Sequence, residues 1–268
     1  MIVVNLKGGH FMGTVISFGL QKGGVGKTTT TAITAYLLAK KYKVLAIDFD
    51  SQGNLTQMLT TDNIYNFTGK TVLEAIQEKN ADPYIVEISK NLHLLPAEDL
   101  LALLPNRLIE MYPERKDQLA SLRMLLEPIK NRYDYILLDL PPNVGDHTLC
   151  GLVASDYAVV VMQTEPFAFN ALERYLETME LAQEMANPDL RLAGILTCLM
   201  NQRTSLDNAI HHQALEDYES LVFDTVIKRK ARIKEFSLEG IRDRTKADRE
   251  ALEQYQSFVK ELLSRVQA

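Results

Sequence analysis

The stretch QKGGVGKTTTT at residues 21–31 concentrates the residue types best suited to phosphate chemistry. Gly23, Gly24 and Gly26 let backbone N–H groups turn inward around an anion, a conformation that side chains resist. Val25 and Thr29 complete the loop. Lys27 is placed to neutralise the β/γ oxygens of a nucleotide, and the Thr28 hydroxyl to ligate Mg²⁺. A strand pattern, TVISFG, runs into the loop and a helical pattern runs out, so the helix dipole points at the same anion. The spacing nevertheless departs from the usual G-x-x-x-x-G-K-[ST] rule. Six places before Lys27 stands Gln21, not glycine, and a second lysine, Lys22, follows it.

A Mg-nucleotide site also needs carboxylates at the C-terminal ends of neighbouring strands, where α/β sheets bind ligands. VLAIDFDSQGN supplies Asp48 and Asp50, and YDYILLDLPPN supplies Asp139. Asp139 is placed to hold a magnesium-bound water. Asp48 and Asp50 are two apart and share one side of a regular strand. One of them would organise the metal's water shell while the other polarises an attacking water.

The elements that must position these groups alternate along the chain. Apolar, β-branched runs predict strands over 14–18, 44–49, 92–97, 135–140, 158–163, 192–199 and 221–227. Helical periodicity predicts helices over 28–42, 121–130, 168–186 and 206–219. Strand and helix in alternation imply an α/β fold: one domain with a mostly parallel twisted sheet and helices on both faces. Strands apolar on both sides, such as YILLDL, fit such a sheet. The last stretch spaces Leu252, Tyr255, Phe258, Val259, Leu262, Leu263 and Val266 helically, which predicts a helix packed on the core.

Composition bounds the rest. The 268 residues are 46% hydrophobic and 24% charged, ordinary for a globular protein with a sizeable core. No apolar run is long enough for a transmembrane helix. Cys150 and Cys198 lie in apolar segments and read as buried thiols of a reducing, cytoplasmic compartment. Residues 1–11 read as a translated leader or a flexible arm. Lys7-Gly8-Gly9 is encodable as a ribosome-binding site, and Met12 follows as a natural start, leaving 12–268 as the working domain. The formal charge of −6 is uneven. Residues 228–249 hold nine bases and four acids, a local +5 that marks an anionic partner.

Taken together, KGGVGKTTT, AIDFDSQGN and DYILLDLPPN resemble the deviant-Walker ParA/MinD ATPases. DSQGN followed by LT resembles the ParA branch, which partitions plasmids and chromosomes. The resemblance spans nearly the whole chain and implies the cofactors ATP and Mg²⁺. It also implies a role for Lys22, because in this family the extra lysine reaches across an ATP-dependent homodimer to the partner's phosphates. That makes Lys22, Lys27 and Asp50 the catalytic set, with Asp50 the water-positioning acid of a first switch loop. Thr28, Asp48 and Asp139 form the metal set, the aspartates acting through water. Asp139 and Pro141 to Asn143 would form a second switch, with Asn143 where many relatives carry serine.

GILTCLMNQRTSL resembles the segment that helps enclose adenine, which singles out Asn201. The competing reading is that Asn201 and Arg203 cap the next helix. FDTVIKRKARIKE aligns with an R-x-x-R pattern, here Arg229 and Arg232, flanked by Lys228, Lys230 and Lys234. The family uses this region for nonspecific double-stranded DNA binding, and phosphate neutralisation needs charge without a base reader. The competing reading is a solvated face with ion pairs.

The implied function is DNA partition. An ATP sandwich dimer would coat DNA on the nucleoid, and a centromere-binding ParB-like protein would stimulate its weak ATP hydrolysis. The alternative is a MinD-like membrane-associated positioning ATPase. That needs a cationic amphipathic tail, whereas the last helix mixes acids and bases. A redox protein of the nitrogenase-reductase type has enough cysteines, but Cys198 lies in a strand pattern and Cys150 in a helical one.

Overall fold

The computed structural model describes residues 13–201 and 204–267. The expectations for residues 1–11 and for Arg203 lie outside the described residues. In chain order the elements begin with β1 (Thr14–Gly19), α1 (Lys27–Leu38), β2 (Val44–Asp48), α2 (Asn54–Thr60), α3 (Val72–Glu78), β3 (Val86–Ser89) and β4 (Leu92–Leu95). There follow α4 (Leu104–Met111), α5 (Arg115–Leu119), α6 (Ser121–Leu126), β5 (Tyr135–Asp139), α7 (Asp146–Ala154) and β6 (Tyr157–Gln163). The chain continues through α8 (Ala168–Met185), β7 (Arg191–Met200), α9 (Ser205–Tyr218), β8 (Val222–Lys228), α10 (Ala231–Glu239) and α11 (Lys246–Val266).

The strands form one eight-stranded sheet in the order β3-β4-β2-β5-β1-β6-β7-β8. Every pairing is parallel except β3 with β4. β2 and β5 are buried along their whole length and β6 from Ala158 on, which is why they read as unbroken apolar runs. All seven expected strands form, with ends shifted by two residues at most. β3, the antiparallel edge, was not expected: VEIS is four residues long and only half buried.

From β1 the chain moves to β2 on one side, and from β5 to β6 on the other. Right-handed crossovers therefore put α1 and α7 on opposite faces. α1, α2, α10 and α11 pack together as one layer, and α7 gathers α4, α5, α6 and α8 as the other. The helix expected over 121–130 stops at Leu126, because Pro128 has no N–H for the carbonyl of Met124. The final helix packs on the core as expected. Tyr255, Phe258 and Leu262 of α11 are fully buried, and Phe258 meets Phe223 of β8 edge-on at 5.0 Å. Each such side chain contributes about 1.5–3 kcal/mol on burial.

The strand order also creates the site. β5 lies between β1 and β2, in register at Phe18–Asp139 and Asp48–Asp139. The loops that leave β1, β2 and β5 are thus brought side by side at one end of the sheet, where the direction of winding reverses.

Candidate functional site

The loop after β1 holds its glycines in the left-handed region where the turn needs them: φ is +76° at Gly24 and +95° at Gly26. Space above the turn is open, since a Cβ on Gly23 or Gly24 would meet nothing within 4 Å. Gly26 ends the turn and α1 begins at Lys27. Among the described residues, the amides of Gly24 and of Gly26 to Thr29 have no hydrogen-bond acceptor. Uncommitted first-turn amides beneath an open, glycine-lined hollow make a fitting anion cradle.

Lys27 is buried, 7% exposed, and curls back so that Nζ donates to the Lys22 carbonyl at 2.8 Å. Burial lowers its pKa, against the opposing charges of Asp139 and Asp50. The Thr28 hydroxyl donates to Asp139 Oδ2 at 2.6 Å. Thr31, one turn on, places its hydroxyl 3.0 Å from the Lys27 carbonyl and 3.4 Å from Asp139 Oδ1. Thr28 and Asp139 are thus joined beside Lys27, and the Asp50 charge acts on both Lys27 and Asp139.

Asp48 plays a more structural part than expected. Its Oδ2 accepts from the Thr56 amide at 2.7 Å and the Thr56 hydroxyl at 2.8 Å. Its Oδ1 accepts from the Asp50 amide at 3.3 Å. Asp48 therefore ties the loop that presents Asp50 to the first turn of α2. Asp50 is half-buried and accepts from the Gln52 amide at 3.1 Å. Burial raises the pKa of both Asp48 and Asp139, and Asp139's charge adds to the shift at Asp48. Two carboxylates side by side, compensated by one lysine and neutral hydroxyls, suit a divalent cation. No cluster of three or more His, Cys, Asp or Glu able to hold a metal unaided occurs among the described residues. The donors therefore fit an ion held by Thr28, water and a phosphate, the usual manner of Mg²⁺.

Lys22 does not face its own loop. Its Nζ pairs with Glu165 at 2.7 Å, in the segment between β6 and α8. Gln21, in the position of the missing glycine, donates to the Arg174 carbonyl and the Thr178 hydroxyl of α8. The departure from the usual motif thus couples the loop to α8. Glu165 was invisible to sequence reasoning, being 143 residues from Lys22, and Thr56 and Thr31 were likewise missed. Beside the loop, Asp50, Gln52, Pro142, Asn143, Asp146 and His147 border an open cleft of about 460 Å³. It lies between the two expected switch segments.

The outlying candidates are placed differently. Asn201 follows β7 and is exposed. Its main-chain amide donates to Asp207 Oδ2 at 2.7 Å, and its carbonyl accepts from Thr204; Thr204 itself is the N-cap of α9, with no side-chain capping bond. Lys228 at the end of β8, Arg229 after it and Lys234 in α10 are exposed, and Lys230 Nζ donates to the Glu250 carbonyl. Arg232 is only 18% exposed and is held by Glu235, Glu239 and Asp248. It therefore follows the competing ion-pair reading. Cys150 and Cys198 are buried and burial pushes both thiols up to about 12, which disfavours a cluster shared across a subunit face.

Comparison with known proteins agrees with this geometry. The family model described as "AAA domain" (AAA_31) matches residues 13–192. The chain is 35% identical over 235 residues to the sporulation initiation inhibitor protein Soj of Bacillus subtilis, covering 85% of this chain and 89% of that protein. It is 32% identical over 236 residues to the chromosome-partitioning ATPase Soj of Treponema pallidum, covering 86% and 88%. Among solved structures it is similar to cobyrinic acid a,c-diamide synthase of Mycobacterium smegmatis with bound ATP analog and magnesium. The TM-score is 0.80 at 29% identity, over 96% of both chains. With its glycine cradle, second lysine and strand-end aspartates, the chain belongs to the AAA-domain family and is a P-loop ATPase of the ParA/MinD type.

Proposed function

We propose that this chain is a DNA-partition ATPase that binds Mg-ATP, closes as a face-to-face dimer on nonspecific DNA of the nucleoid, and lets go on hydrolysis. The observation that carries the reading is the division of labour between two lysines. Lys27 is buried in its own cradle, while the Lys22 ammonium is turned out of it toward Glu165. A cation delivered from a partner stabilises terminal-phosphate charge only when two subunits meet, so nucleotide state governs association. The chromosome-partitioning ATPase Soj of Treponema pallidum supports partition over other uses of the fold. A centromere-binding ParB-like protein is the expected stimulator of slow hydrolysis.

Mg-ATP, when bound, would supply the scissile anhydride and a cation that offsets the negative charge of the phosphates. Lys27 would leave the Lys22 carbonyl for the phosphate, and the Thr28 hydroxyl would turn from Asp139 to the metal. Asp139, beside Thr28, would help hold the cation through its water shell. Asp50, held over the cleft by Asp48 and Thr56, would orient the attacking water.

A membrane-positioning role draws no support from α11, whose apolar face is taken up by the core. No helix among the described residues is long and apolar enough to cross a membrane. The test is binding of a nonspecific duplex at moderate salt by nucleotide-free, ADP-loaded and ATP-loaded protein. Binding confined to the ATP state is expected; binding that ignores nucleotide sinks the reading.

A further inference from the structure

The basic segment divides into two populations. Arg232 Nε donates to Asp248 Oδ1 at 2.7 Å, and its Nη1 reaches Glu235 and Glu239. Arg242 joins the same cluster through Glu239 and lies 4.0 Å from Asp248. Two guanidiniums thus face three carboxylates, and the cluster adds no positive charge to the surface. Asp248 is fully buried and belongs to the capping box that starts α11. A guanidinium that left it for a DNA phosphate would strand a buried charge, a strongly unfavourable exchange.

The other bases are different. Among the described residues, Lys228, Arg229, Lys234, Arg244 and Arg249 pair with no carboxylate within 4.0 Å, and all are exposed; one Arg249 nitrogen, Nη1, donates to the Asp243 and Arg244 carbonyls. Lys246 is 85% exposed, with a loose 3.6 Å contact to Glu250. Arg232 of α10 and Lys230 just before it bind to the start of α11 through Asp248 and the Glu250 carbonyl. The exposed bases lie within four residues of that junction, on either side of it.

Resting on the partition reading, we infer that the DNA phosphates are met by Lys228, Arg229 and Lys234 together with Arg244, Lys246 and Arg249 from the start of α11. Arg232 is the positioning residue that fastens these two groups together and touches no phosphate. Half of this surface therefore comes from a segment outside the R-x-x-R pattern. The ligand class is the phosphate backbone of a duplex, met without base reading.

The experiment is a salt titration of duplex binding by the full chain with Mg-ATP, because the slope of log K against log salt counts phosphate contacts. Each contact contributes about 0.9 to that slope. Arg229→Ala, Lys234→Ala and Arg249→Ala each should flatten it by about 0.9 per bound subunit. Arg232→Ala should weaken binding while leaving the slope unchanged. Asp248→Asn guards against a merely unfolded Arg232 variant, with ATP binding as the control for folding. It removes an acid yet keeps every base, so simple electrostatics strengthens binding, whereas loss of the fastening weakens it. Weaker binding by Asp248→Asn supports the inference. Stronger or unchanged binding overturns it, as does a slope flattened by Arg232→Ala or unmoved by Arg249→Ala. A wild-type chain that ignores DNA in the ATP state would instead overturn the partition reading.

Discussion

Replacing Lys22 with alanine separates a structural from a catalytic role. In the free chain Lys22 makes one ion pair, to Glu165 at 2.7 Å, and the two side chains are 29% and 44% exposed. A pair this wet contributes about 0–1 kcal/mol. Its loss should lower Tm by no more than about 4 °C in a chain of this size. Nucleotide binding by the monomer should persist, because the ammonium points away from its own cradle and the Lys22 carbonyl that anchors Lys27 is main chain. The catalytic cost is far larger if the ammonium meets the partner's phosphate. Deleting one preorganised donor to developing charge costs about 10²–10³ in turnover. Lys22→Ala should therefore melt nearly like the wild type, bind labelled ATP, and hydrolyse it at least ~100-fold more slowly in single-turnover assays. Normal turnover would overturn the in-trans role. A large fall in Tm would show that the Glu165 contact matters more to the fold than its exposure implies.

The two other charged groups of the site should fail differently. Lys27→Ala should abolish tight ATP binding in equilibrium titrations, since the lysine inside the cradle is lost. Asp50→Ala should keep binding, slow hydrolysis and accumulate ATP-bound dimers on sizing columns. Both thiols, buried and raised to about 12, should resist thiol reagents at pH 8 in the native protein and react on unfolding. The Asp248 carboxyl is held down at about 2, first by the Thr245 amide and also by Arg232. A depressed native pKa contributes stability that is full above the unfolded value and is lost as pH falls toward 2. Asp248→Asn should therefore shrink the acid limb of a stability–pH curve between pH 4 and 2.

Most of the scaffold was legible because its signals are local. The glycine loop, the apolar strands and the strand-end aspartates each fall within a dozen residues, and a parallel sheet brings their ends together without further instruction. β3 was hidden by its shortness and half-exposure, and the premature end of α6 by reading periodicity past Pro128. What the sequence could not disclose were partners made by folding. Lys22 meets Glu165 across 143 positions. The Asp48 carboxylate is filled by Thr56, and Arg232 is drawn from the surface by Asp248, sixteen residues on. Charge counting sees the total in such a segment but not which bases are already paired.

Completion of each active site by its neighbour's Lys22 is the claim on which the rest depends. Mixing two inactive proteins tests it. Lys22→Ala keeps Asp50 and Lys27, while Asp50→Ala keeps Lys22. In a mixed dimer, the intact cradle of the first receives the lysine of the second. Mixing should therefore restore ATP hydrolysis that neither protein has alone. Mixed dimers that form and stay inactive would rule the claim out.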